Sequence, residues 1–177
     1  LGAEPAGAAF PGGGTGLTME QAIAAADTLP RRVAVQDMLG SFAIAGFVEW
    51  LAGTGREVTL VAPTGTPGWQ VNIYSSFAWR QRLKESGVRI LALHAIHAAA
   101  PGEAVLTDLS TGERRTESFD AVIAPAHGLP RDGLASALRA RLAGRNDPPA
   151  LHLVGDCASP RSAVEAVFEG HEIGRAL

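Results

Sequence analysis

Two hydrophobic rhythms alternate along this chain. Arg32-Val-Ala-Val-Gln36 and Glu57-Val-Thr-Leu-Val-Ala62 are short apolar runs that read as buried strands. Between them, apolar residues at 43, 44, 47, 48 and 51 recur at helical spacing. They predict a helix over 41–52, stopped by Gly53 and Gly55. Residues 32–62 thus read as a β-α-β unit with parallel strands and a right-handed crossover. A Gly/Pro-rich loop follows over 63–68. Ile73, Phe77 and Leu83 then mark a helix to about Ser86, and Val88–Leu93 a third strand.

The pattern changes after residue 93. Ala104–Leu109 and Arg114–Phe119 flank Ser110-Thr-Gly-Glu113, which predicts a β-hairpin. Asp120–Ala124 returns to a buried strand, and Leu134–Leu142 reads as a helix. Asn146-Asp-Pro-Pro149 is a linker. Leu151–Val154 reads as a last strand and Ser159–Leu177 as a last helix, with Ser159 as N-cap and Pro160 at the first helical position. At the other end, residues 1–16 are rich in Gly, Pro and Ala and read as a linker. Thr18-Met-Glu-Gln21 fits a capping box opening a short helix to about Asp27. No internal repeat is visible.

Composition narrows the classes. With 177 residues, 46% of them hydrophobic, the chain suits one domain or one domain plus part of another. No run of about 18 apolar residues occurs, so no membrane span is expected. A net charge of −3 gives no electrostatic reason to expect nucleic acid. The single cysteine, Cys157, excludes an internal disulfide and a cysteine-built metal cluster within these residues. The expectation is a cytoplasmic, bacterial protein without a secretory signal. The Leu1 start reads as a piece of a longer chain.

The element order is that of the second nucleotide-binding domain in flavoproteins with two such domains. The expected fold class is therefore α/β. It is a Rossmann-like three-layer domain with a parallel sheet and β-hairpin crossover, of FAD/NAD(P)-binding type. A C-terminal strand–helix from a neighbouring nucleotide-binding domain is added to it. In such a domain the first strand runs into G-x-G-x-x-G, whose glycines let a pyrophosphate approach the backbone. Aligned on Glu49 and on Glu57-Val-Thr-Leu-Val61, the three glycine positions fall on Leu39, Ser41 and Ile44. Only Gly40 remains. Ala62-Pro63 stands where an acidic ribose reader is expected. The fold signal is thus strong and the NAD(P) signal poor.

The second candidate site is the tail, His152-Leu-Val-Gly-Asp-Cys-Ala-Ser-Pro-Arg161. An apolar run enters Gly155-Asp156, and a helix follows. Asp156 can accept hydrogen bonds from ribose or ribityl hydroxyls, and a helix start faces phosphate. The candidate cofactor-binding residues are therefore Gly155, Asp156, Ser159, Arg161, Gly40 and Ser41. No catalytic or metal-binding residue is assigned. His94 and His97 lack further ligands, and Cys157 lacks a second cysteine. His127 lies on the loop after the 120–124 strand, at the ligand edge of the sheet. Trp69, Tyr74 and Trp79 read as packing rather than base-stacking residues.

Four segments together resemble the C-terminal half of the trimethylamine dehydrogenase and 2,4-dienoyl-CoA reductase family. They are Asp37-x-x-Gly40, Glu49-x-Leu-Ala52, Gly55-x-Glu-Val-Thr-Leu-Val61 and Gly155-Asp-Cys-Ala-Ser-Pro-Arg161. These are old yellow enzyme-like NADH:flavin oxidoreductases. The opening Leu1-Gly-Ala-Glu-Pro5 resembles the segment that leaves the first nucleotide-binding domain, with Leu1 departing from its Thr. The resemblance implies three parts: a linker and short helix over 1–29, a Rossmann-like NAD(P)-binding-type domain over 30–145, and the Gly-Asp strand–helix of the FAD/ADP-binding domain over 146–177. It also implies an N-terminal TIM barrel with FMN and a 4Fe-4S cluster, all outside these residues.

Three functions follow. The leading one is a non-catalytic dinucleotide-binding-type domain of a flavin-dependent NADH:flavin oxidoreductase, with FAD or ADP as candidate ligand. The others are a working NAD(P)H-binding module of a pyridine-nucleotide reductase and a non-enzymatic ADP-binding or interaction module. Val164, Val167 and Phe168 lie on the last helix. They predict that 151–177 packs against the remaining domain or, as a homodimer, against a second copy of the chain. The resemblance implies the missing TIM-barrel and FAD/ADP-domain parts of the parent protein as further partners.

Overall fold

The computed structural model describes residues 2–177. In chain order its elements begin with β1 (Ala3–Gly7), α1 (Met19–Ala24), β2 (Arg32–Gln36), α2 (Phe42–Gly53) and β3 (Glu57–Ala62). There follow α3 (Ile73–Glu85), β4 (Arg89–Ala92), β5 (His94–Ala100), β6 (Glu103–Asp108), β7 (Arg114–Glu117) and β8 (Ala121–Ile123). The chain ends with β9 (Pro125–Pro130), α4 (Gly133–Leu142), a 3-10 turn (Gly155–Cys157) and α5 (Ala163–Ala176). It forms two compact units. One is Gly7–Ala126 and the other holds the remaining described residues.

The larger unit has three layers. Its centre is a parallel sheet in the order β4-β3-β2-β8. The β2–β3 register pairs Val33 with Val58 and Val35 with Leu60. Side chains alternate across the sheet, as strand geometry requires. Val33, Val35 and Leu60 face a core built with Ile44, Val48 and Leu51 of α2 and Trp79 and Leu83 of α3. Ala34 and Val61 face a second core with Ile96 of β5, Leu106 of β6 and Phe119. The third layer, β5-β6-β7, is antiparallel. The expected α/β fold with a parallel sheet and β-crossover is present.

Local chemistry explains the element ends. The Thr18 hydroxyl accepts the Gln21 N–H, and the Gln21 side chain accepts the Thr18 N–H, completing the capping box. Ser41 caps α2 through the Ile44 N–H. Trp79 donates its indole N–H to the Ala45 carbonyl at 3.0 Å, tying α3 to α2 in the core. Glu49 and Arg82 join the same helices at their surface through two hydrogen bonds.

The expected hairpin is a three-stranded sheet, because β5 precedes it. Its His94-Ala-Ile-His-Ala-Ala-Ala100 sequence has one β-branched residue and no alternation that marks a strand. Tertiary contacts supply the reason. The Ile96 N–H donates to the buried Gln36 side chain at 2.6 Å, and β6 pairs along its length. Leu93, at φ 55°, turns the chain between β4 and β5.

In the smaller unit β1 pairs with β9, so a stretch read as linker and another read as loop form a two-stranded sheet. Residues 151–154 form no strand, correcting the strand expected there. An apolar run becomes a strand only by pairing its backbone groups, and these residues have no pairing partner among the described residues. The last helix begins at Ala163 with Ser162 as its cap, not at Ser159. Two local rules prevail over the earlier start. Pro160 disfavours helical geometry in the residue before it. Ser162-x-x-Glu165 is a complete capping box, in which Glu165 accepts the Ser162 N–H at 3.0 Å.

Candidate functional site

The carboxyl ends of β2 and β3 form the crevice where a doubly wound sheet holds a dinucleotide. The turn after β2 runs from Asp37 to Ser41. Asp37 is fully buried. Its Oδ1 accepts the Gly40 N–H at 2.7 Å and its Oδ2 accepts the Gly68 N–H at 2.7 Å. One carboxylate therefore fastens the turn after β2 to the loop after β3. Two further bonds double the link. The Gln70 N–H donates to the Gly40 carbonyl, and the Gln70 side chain donates to the Leu39 carbonyl, both at 2.9 Å.

Gly40 lies at φ 62°, in the left-handed region. A Cβ there would sit 2.5 and 2.6 Å from Cε3 and Cε2 of Trp69. The indole thus covers the Gly40 Cα, where a close-approach glycine would meet a pyrophosphate. Trp69 keeps 42% of its surface exposed, so it is a cover and not a core residue. Ser41 spends its hydroxyl on the Ile44 N–H, as the α2 cap. The fold family implies an NAD(P) group at this crevice. The residues present do not fit one, since a buried carboxylate and an indole stand where its phosphates would lie.

The tail site lies in the smaller unit. Gly155, at φ 67°, opens the 3-10 turn, and its carbonyl accepts the N–H groups of Ala158 and Ser159. Asp156 is exposed on that turn. Among the described residues no hydrogen bond to its carboxylate occurs, so its oxygens are open to a ligand's hydroxyls. Glu169 of α5 accepts the Gly155 N–H at 2.7 Å and pairs with Arg161. Gly155 and Arg161 are therefore brought together on one carboxylate, a role that sequence reading missed. The fourteen-residue separation hides it. Ser159 closes the turn with its N–H. The α5 start is filled by its own side chains. Glu165 is held below the usual carboxylate range, first by its hydrogen bond from Ser162.

The six candidate residues fall into two groups. Gly40 and Ser41 belong to the larger unit, and Gly155, Asp156, Ser159 and Arg161 to the smaller. His94 donates its Nδ1–H to the Ala92 carbonyl at 2.8 Å, and its Nε2 stands 3.9 Å from Asp108. The Cys157 thiol donates to the Val154 carbonyl at 3.2 Å. Among the described residues no group of three or more His, Cys, Asp or Glu is placed to hold a metal ion. Nor is any helix long and apolar enough to cross a membrane.

No family model matches the sequence. Solved structures do match. Histamine dehydrogenase from Rhizobium sp. 4-9 superposes with a TM-score of 0.80 and 26% identity, over 91% of this chain and 24% of its own. The 6-hydroxypseudooxynicotine amine oxidase from Pseudomonas geniculata N1 gives 0.82 and 24%, over 98% of this chain and 28% of its own. A 2-naphthoyl-CoA reductase gives 0.64 and 22%, over 83% and 21%. The class so defined is a nucleotide-binding-type domain of the flavoprotein kind. More particularly, the chain matches the C-terminal region of the trimethylamine dehydrogenase and 2,4-dienoyl-CoA reductase family, to which all three structures belong. It spans about a quarter of the length of these relatives.

Proposed function

We propose that the chain is the C-terminal dinucleotide-binding-type domain of a flavin-dependent NADH:flavin oxidoreductase resembling trimethylamine dehydrogenase. In this reading it contributes binding surface and not reacting groups. FMN, the 4Fe-4S cluster and the substrate site belong to a TIM barrel outside these residues. The match to histamine dehydrogenase over 91% of the chain carries the reading. The exposed Asp156 turn supports it, since a carboxylate with open oxygens suits the hydroxyls of an ADP or FAD ribose. With Arg161 engaged by Glu169, this turn offers a hydroxyl reader more than a phosphate clamp.

Part of the reading concerns partners. On α5 the side chains of Val164, Val167 and Phe168 are exposed. The remainder of the parent protein would cover that stripe. Calorimetric titration of ADP, FAD, NADH and NADPH tests the ligand. The reading predicts heat from ADP or FAD that Asp156→Asn abolishes. Heat from NADH or NADPH with none from ADP or FAD would overturn it.

A further inference from the structure

We propose that the dinucleotide crevice at the ends of β2 and β3 is occupied by the chain itself. Segment 66–70 is a fixed internal lid, with the Asp37 carboxylate and the Trp69 indole standing where a dinucleotide would bind. The inference goes beyond the tail site and holds whether or not ADP or FAD binds at Asp156.

Three observations carry it. First, a working turn offers its backbone N–H groups to a pyrophosphate. Here the Gly40 N–H is consumed by Asp37, whose other oxygen takes the Gly68 N–H from the lid. An incoming phosphate would meet a buried negative charge in place of free donors. Second, the Cβ-free surface of Gly40 is filled by the Trp69 ring. Gly40 thus remains glycine while Leu39, Ser41 and Ile44 occupy the usual glycine positions, because its partner is an indole of the same chain. Third, the lid is fastened and not merely nearby. Gln70 bonds to the carbonyls of Leu39 and Gly40. The lid's own Gly68, at φ 66°, lies so close to Trp79 that a Cβ would sit 2.8 Å from its Cζ3. A dinucleotide would have to displace the indole and break these bonds together.

Amide spectra of the 177-residue chain test this with NADH, NADPH and no other ligand. The wild-type Gly40 and Gly68 amides should exchange slowly and should not shift with excess NADH or NADPH. Asp37→Ala, which removes both acceptor oxygens, should raise exchange at both amides by at least about tenfold. Trp69→Ala should raise it at Gly40, and Trp69→Phe, which keeps a ring over Gly40, should largely restore protection. NADH or NADPH shifting the wild-type Gly40 or Gly68 amide would overturn the proposal. So would rapid exchange of the wild-type Gly40 amide. The wild-type titration needs no variant to fold, and a shift of the Asp156 amide by ADP would not bear on it.

Discussion

Replacing Asp37 by Asn perturbs the crevice at its centre with almost no change in volume. The carboxylate is fully buried and accepts two backbone N–H groups at 2.7 Å each. Asparagine keeps one acceptor oxygen and presents an NH2 group to the other N–H. One charge-assisted bond is lost, and one buried donor is left unsatisfied at a cost of about 1–3 kcal/mol. The neutral amide is cheaper to bury than a carboxylate, which offsets part of that loss. The expected net destabilisation is about 2 kcal/mol, and Asp37→Ala, which strands both donors, should cost about 3 kcal/mol. Urea denaturation of wild type and variant, with unchanged slope, measures the difference. Fast amide exchange at one of the two glycines in Asp37→Asn, and at both in Asp37→Ala, would locate the loss. A change below about 0.5 kcal/mol, the range of ordinary surface substitutions, would refute the reasoning.

Four further outcomes are expected. Gly40→Ala should cost at least about 2 kcal/mol, since a Cβ at φ 62° is strained and also collides with Trp69; thermal denaturation reads it. Trp79→Phe should cost about 1–2 kcal/mol, by losing the bond to the Ala45 carbonyl and part of the core volume; urea denaturation should show it. Arg89 and, to a lesser degree, Arg115 hold the Glu117 carboxyl below its usual range. A depressed carboxylate stabilises the fold above its unfolded pKa, so stability should decline as pH falls below about 4.3, and Glu117→Gln should flatten that decline in acid titrations. Finally, Phe168→Glu should not unfold the chain, because the side chain is 62% exposed, but it should weaken association of α5 with whatever covers it, as light scattering or co-purification would show.

The larger unit was legible because its sequence obeys local rules. Val33, Val35, Leu60 and the 43–44–47–48–51 stripe each carry the periodicity of the element they form. Where local rules and tertiary contacts disagree, the sequence misleads. His94–Ala100 lacks strand propensity and becomes β5 only through Gln36 and β6. Leu151–Val154 has strand propensity and no pairing partner among the described residues. Ser162-x-x-Glu165 was readable as a cap, but Ser159-Pro160 competes with it in the same stretch. At the site, Leu39, Ser41 and Ile44 at the glycine positions mark a poor dinucleotide crevice in the sequence alone. The bond that ties Asp37 to a loop thirty-one residues away depends on spatial contacts between the β2 and β3 ends. Glu169 was hidden for the same reason.

The central claim is that nucleotide chemistry in this domain belongs to the Gly155-Asp156 turn and not to the β2–α2 crevice. The most direct measurement follows every backbone amide while ADP and then NADH are added to the chain. The account predicts shifts at Gly155, Asp156 and Cys157 with ADP, and none at Gly40 or Gly68 with NADH. Shifts at Gly40 and Gly68 with NADH, and none in the 155–157 turn with ADP, would contradict it.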